Sequence, residues 1–102
     1  PTVELPMRWL PGCSIPPQSP LVTTFAETAA SLDVGASVQG LDAPSDMYIF
    51  QRCFDTPALM WGPSGANAHQ ANEFVEIESL WRATQVLAHF VVRWCGIEAG
   101  GV

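Results

Sequence analysis

The stretch from Pro57 to Ser79 constrains the fold of this chain more than any other. Ala58 to Trp61 is a short apolar run between turn residues, the pattern of a buried strand. Gly62, Pro63 and Gly65 break that run, since proline lacks the N–H a ladder needs and glycine favours turns. Helical periodicity resumes only near Ser79, which leaves His69 on a loop between the two. Open α/β sheets bind ligands in loops beyond the ends of buried strands. The stretch therefore suggests both an architecture and a place for a site.

The flanking segments extend the pattern. Thr2 to Leu10 alternates, with Val3, Leu5, Met7 and Trp9 on one side, and Pro6 places this half-buried strand at an edge. Residues 11–19, with Pro20 following, form a stiff proline-rich connection and a domain boundary. Ser19 before Pro20 predicts a helix start, carried on by Leu21, Val22, Phe25, Ala29 and Leu32, with Gly35 just past its end. Ala36 to Gln39 is a brief strand candidate closed by Gly40. Ser45 caps a short helix from Asp46 to Cys53. Leu80, Ala83, Leu87, Val91 and Trp94 mark one stripe of a long final helix that Gly96 ends. From the linker onward, this alternation predicts an α/β fold, a mostly parallel sheet with flanking helices and right-handed crossovers. Ser45-Asp46 and the Gly62–His69 loop would then share one crevice.

Composition removes several classes of function. A chain of 102 residues is one domain or part of one. Hydrophobic residues at 48% and charged ones at 14% exclude a disordered tail. Only 4 basic residues, none of them lysine, stand against 10 acidic ones, so the net charge of −6 opposes nucleic acid and anionic membranes. No apolar run approaches the roughly 18 residues of a spanning helix. The first residues lack the basic and apolar regions of a signal peptide, and the unpaired Cys13, Cys53 and Cys95 fit reduced thiols, so a cytoplasmic location is expected. Four tryptophans are a large apolar load, part of which is expected to face a partner.

Among residues that carry chemistry, His69 is the sharpest. Its imidazole suits a metal ligand, though from composition alone an ordinary polar loop histidine is the commoner case. Zinc needs about three or four protein ligands, and no second histidine or cysteine lies at ligand spacing. A complete site within the chain is not expected. Asp46 suits a substrate contact or a charge at a helix start. Glu73, Glu76 and Glu78 gather before the last helix, where the helix start accounts for Glu78. Gly62 to Gly65 fits no phosphate loop because the lysine is missing. His89 reads as structural, and Cys53 has no base arranged beside it.

Gly62-Pro63, then Ala68-His69-Gln70-Ala71-Asn72-Glu73-Phe74-Val75, following Pro57-Ala58-Leu59, resembles a family signature. The family is that of two-zinc amidohydrolases, including acetylornithine deacetylase, succinyl-diaminopimelate desuccinylase, aminoacylase and glutamate carboxypeptidase. Ser45-Asp46-Met47 resembles the Ser/Thr-Asp segment of these enzymes, with Pro44 in place of the usual glycine. Thr2 to Met7 and the prolines after it resemble the last strand of an inserted lid domain and the return to the catalytic domain.

The resemblance implies that residues 1–10 end the lid (dimerisation) domain, 11–19 link, and 20–102 form the C-terminal part of the catalytic domain. It makes His69 a zinc ligand, and Ser45, Asp46, Gly62 and Pro63 substrate contacts, with no catalytic residue in this chain. Two zinc ions (cobalt or manganese as alternatives) about 3.5–4 Å apart would activate a water against an amide carbonyl. A glutamate base and the other ligands would come from the N-terminal part of the same enzyme. The expected substrate is an N-acyl amino acid or small peptide, and a homodimer is compatible. The rival expectation is a non-catalytic α/β module that keeps the architecture and works by binding.

Overall fold

The computed structural model describes residues 1–3, 11–41 and 43–98. Helix α1 (Pro20–Ser31) begins where expected, with proline in its first turn, where a missing N–H costs nothing. Ser19 makes no side-chain capping bond, but its carbonyl accepts from Thr23 N at 3.0 Å. The helix stops short of Gly35. Leu32 is its C-cap, and Asp33, at φ 57°, occupies the left-handed position expected of a glycine. Aspartate enters that region more readily than most residues, so the helix can close early without one.

Val22, Phe25 and Ala29 lie on the buried face of α1. They pack against α3 (Ile77–Cys95), which buries Ala83 and Val86. Phe25, Ala29 and Val86 form the centre of the core, with Leu32, Val34, Leu59, Trp61 and Phe90 around them. The Phe25 ring meets Trp61 at 5.0 Å and Phe90 at 5.2 Å, both edge to face. That geometry suits the ring quadrupoles. Thr28 is the buried polar exception, and it is satisfied. Its hydroxyl donates to Thr24 O at 2.7 Å and accepts from Arg93 Nη1 at 3.2 Å, which ties α3 to α1.

The stripe expected on the last helix is corrected. Of Leu80, Ala83, Leu87, Val91 and Trp94, only Ala83 is buried. The buried side runs through Ala83 and Val86 to the half-buried Phe90. At about 100° per residue, the apolar positions of α3 cover roughly two-thirds of its circumference. Glu78, Arg82, Gln85, His89 and Arg93 occupy the rest. The helix α1 covers only part of so wide a surface, and Trp81, 64% exposed, and Leu87, 44% exposed, lie outside the part it covers.

Helix α2 (Met47–Phe54) is displaced by one residue from the span Asp46 to Cys53. Asp46 is its N-cap, while Ser45 Oγ accepts from Met47 N at 3.4 Å. Gln51 holds the linker against this helix, accepting from Ser14 N at 3.2 Å and donating to Ser14 O at 2.7 Å. One side-chain amide thus substitutes for a strand neighbour.

The two expected parallel strands differ from what forms. Leu59 and Trp61 pack on the core, yet among the described residues neither 58–61 nor 36–39 joins a ladder. Apolar content buries a segment, but a strand also needs a neighbour for its N–H and C=O groups. The sheet seen among the described residues has two strands, β1 (Gly65–Ala66) and β2 (Phe74–Val75), which are antiparallel. Helices with a small sheet agree with an α/β fold. Most of the edge strand expected over Thr2–Leu10 lies outside the described residues. Among the described residues no helix is long and apolar enough to cross a membrane.

Candidate functional site

The loop that carries His69 is the turn of a hairpin. Gly65 pairs with Val75 and Ala66 with Phe74. A Cβ on Gly65 would run into the Phe74 carbonyl and sit 3.1 Å from Val75 Cα, so the close approach of these backbones needs a glycine. All four strand residues are exposed, so burial contributes little to holding the hairpin. Polar bonds at its base hold it instead. Glu76, the N-cap of α3, donates its N–H to Ser64 O at 2.8 Å. Ser79, in the first turn of α3, accepts from Ser64 N at 2.9 Å and donates to Glu76 O at 2.7 Å.

Within the loop, three non-glycine residues adopt left-handed backbone: Asn67 at φ 62°, His69 at φ 61° and Asn72 at φ 61°. Asparagine and histidine tolerate this region better than most, and each such residue costs about 1–3 kcal/mol unless its surroundings hold it. Asn67 supplies that restraint. Its carbonyl accepts from Gln70 N at 3.0 Å, and its amide Nδ2 donates to Asn72 O at 3.3 Å. The turn is thereby closed on itself, and His69 is presented to solvent.

The other expected site residues are dispersed. Ser45 lines a groove of about 1020 Å³ shared with Pro44, Met47, Leu59, Met60 and Trp61. Asp46, Gly62, Pro63 and His69 do not line it. Asp46 is exposed at the start of α2, and Gly62 and Pro63 are exposed on the segment that leads from Trp61 into β1. Of the three glutamates, Glu78 pairs with Arg82 at 3.4 Å, an exposed i,i+4 contact of small energetic weight. Glu73 and Glu76 are exposed as well.

Among the described residues no three His, Cys, Asp or Glu side chains gather as a metal cluster. The donors present therefore do not make a metal centre by themselves. His69 fits the part of a single ligand: an accessible imidazole on a braced backbone. Cys53 and Cys95 are free and exposed, and Cys13 is free and half-buried.

Two features went unseen in the sequence, the hairpin and the role of Ser79. Asn67 and Asn72 were the available sign of left-handed turns, whereas two-residue strands have no readable period. Gly65→Ala is expected to open the hairpin at a cost of about 1–3 kcal/mol, because backbone rather than a movable side chain blocks the new methyl group. Amide exchange at Glu76 should quicken while the main thermal transition stays in place. Unchanged protection at Glu76 would contradict this account of the hairpin.

Compared with known proteins, residues 3–93 match a family model described as Peptidase family M20/M25/M40. No curated protein and no solved structure matches the chain.

Proposed function

Because the chain belongs to peptidase family M20/M25/M40, we propose that it is the C-terminal part of a two-zinc amide hydrolase, acting on an N-acyl amino acid or small peptide. The observation that carries this reading is the braced hairpin, which spends several polar bonds and three left-handed residues to present one imidazole to solvent. His69 would hold one zinc ion through an imidazole nitrogen. When bound, the zinc pair would supply Lewis-acid polarisation of the scissile carbonyl and activation of a water. Ser45 and Asp46 at the start of α2, and Gly62 and Pro63 before β1, contact the substrate. No residue of this chain acts as general base.

The remaining ligands and the glutamate base belong to the N-terminal part of the same enzyme. The wide apolar surface of α3 supports such a partner, since Trp81, Leu87 and Val91 are exposed. So does the run 58–61, of which Leu59 and Trp61 pack on the core but which joins no ladder among the described residues. In this reading residues 1–10 end the lid domain and 11–19 connect it to the catalytic one. The complete enzyme is cytoplasmic and compatible with a homodimer through the lid.

The protein expressed from its complete gene should contain about two zinc ions per chain, with cobalt or manganese as functional replacements, and should hydrolyse members of an N-acyl amino acid panel. Chelation should abolish turnover, and metal addition should restore it. A metal-free, inactive protein with the same fold would instead favour a binding module that retains the architecture. The exposed aromatic surface is what favours that second reading.

A further inference from the structure

We infer that Ser79 is a positioning residue for His69, an inference that rests on the zinc-ligand reading of that histidine. A serine in the first turn of a helix often bonds the carbonyl three residues back, and the Ser79 hydroxyl does so with Glu76 O at 2.7 Å. Its second bond is different in kind. The same oxygen accepts from Ser64 N at 2.9 Å, across 15 positions of sequence, with the Ser64 carbonyl 3.3 Å away. Ser64 immediately precedes β1, so the hydroxyl joins the rigid end of α3 to the strand that leads into the histidine loop.

The direction of the hairpin depends on few other restraints. Gly65, Ala66, Phe74 and Val75 are all exposed, and the two-residue ladder is too short to stand by itself. At the base, the other hydrogen bond is from Glu76 N to Ser64 O at 2.8 Å, beside the covalent joins of β2 to α3 and of β1, through residues 62–64, to the core-packed Trp61. With β2 running directly into α3, the two hydrogen bonds, one on each side of Ser64, hold β1 against the start of the helix and so set the angle of the hairpin. α3 itself is anchored by Ala83 and Val86 in the core. One path from the core to the imidazole therefore runs through α3, Ser79, Ser64, β1 and the Asn67-closed turn, beside the direct covalent one from α3 into β2. Ligands held at an angle fixed in advance bind metal more tightly, and loss of an outer support typically costs 10–100-fold in affinity.

The test compares Ser79→Ala and Ser79→Thr in the protein expressed from its complete gene, with His69→Ala alongside. Three readouts are used: hydrogen exchange at the Ser64 amide, zinc affinity by chelator competition, and the absorption spectrum of the cobalt-substituted form. Ser79→Ala is expected to accelerate Ser64 exchange, weaken zinc about tenfold and alter the cobalt bands. Threonine, which keeps the hydroxyl, should restore all three. Unchanged Ser64 exchange in Ser79→Ala overturns the clip itself, whatever the metal does. Faster exchange with zinc affinity and cobalt bands unchanged, in a protein where His69→Ala does lose metal, overturns the positioning role. If His69→Ala keeps its full metal content, the ligand reading falls and the positioning role with it, and the exchange data still report separately on the clip.

Discussion

Alanine at Phe25 is expected to abolish the cooperative unfolding of this chain. Phe25 is only 5% exposed and lies at the centre of the core with Ala29 and Val86. Trp61 and Phe90 both meet its ring edge to face. Removing a buried phenylalanine typically costs about 3–5 kcal/mol through lost transfer energy and the cavity left behind. Whole domains are stable by about 5–15 kcal/mol, and a chain with so small a core belongs at the lower end. The loss therefore approaches the whole. Thermal melts followed by near-ultraviolet circular dichroism, to which Trp61 contributes, should lose their sigmoidal form. Phe54→Ala is the control, since Phe54 is 68% exposed and the change should stay within about 0.5 kcal/mol. Equal losses in the two variants would mean that the interior is organised around something other than Phe25.

His69→Ala should leave the fold intact and cost the site one of its metal ions. On the proposed reading, zinc content falls from about two ions per chain toward one. Hydrolysis should fall by more than the 10–100-fold that loss of a mere outer support costs. His69→Gly is the more telling variant. The backbone at His69 has φ 61°, which glycine adopts freely, so this change removes the imidazole and relieves the backbone together. Its thermal stability should equal or exceed the parent's by up to about 1 kcal/mol, while its metal loss should match that of the alanine variant. Metal analysis and calorimetry on the same preparation check both. Full zinc content in either variant would remove His69 from the ligand set.

The helices were legible in the sequence because their ends carry local chemistry. Ser19-Pro20 starts α1, and Gly96, at φ 78°, closes α3 as expected. The face of α3 that would be buried was not legible. A helix apolar around most of its circumference offers several equivalent stripes, and only the position of α1 selects Ala83 and Val86 over Leu80 and Leu87. Of the run 58–61, expected to be buried, only Leu59 and Trp61 pack on the core, half-buried, while Met60 is exposed, and packing and strand pairing are separate requirements. At the site, His69 could be singled out by residue type and by its setting after Gly62-Pro63. The restraints on it could not. The Ser64–Ser79 bond joins residues 15 apart through one hydroxyl, and no residue pattern encodes such a bond.

The turn from Asn67 to Glu73 is exposed throughout, so it lends the interior nothing. Its freedom to vary is accordingly uneven. Asn67 and Asn72 are restricted by backbone conformation, but Ala68, Gln70 and Ala71 have neither a positive φ nor a packing role. Randomising those three positions should leave the melting temperature of nearly every library member unchanged. Any selectivity that selection finds there would reflect what the loop touches in solution. The protein can thus alter the rim beside its histidine without jeopardising the scaffold beneath.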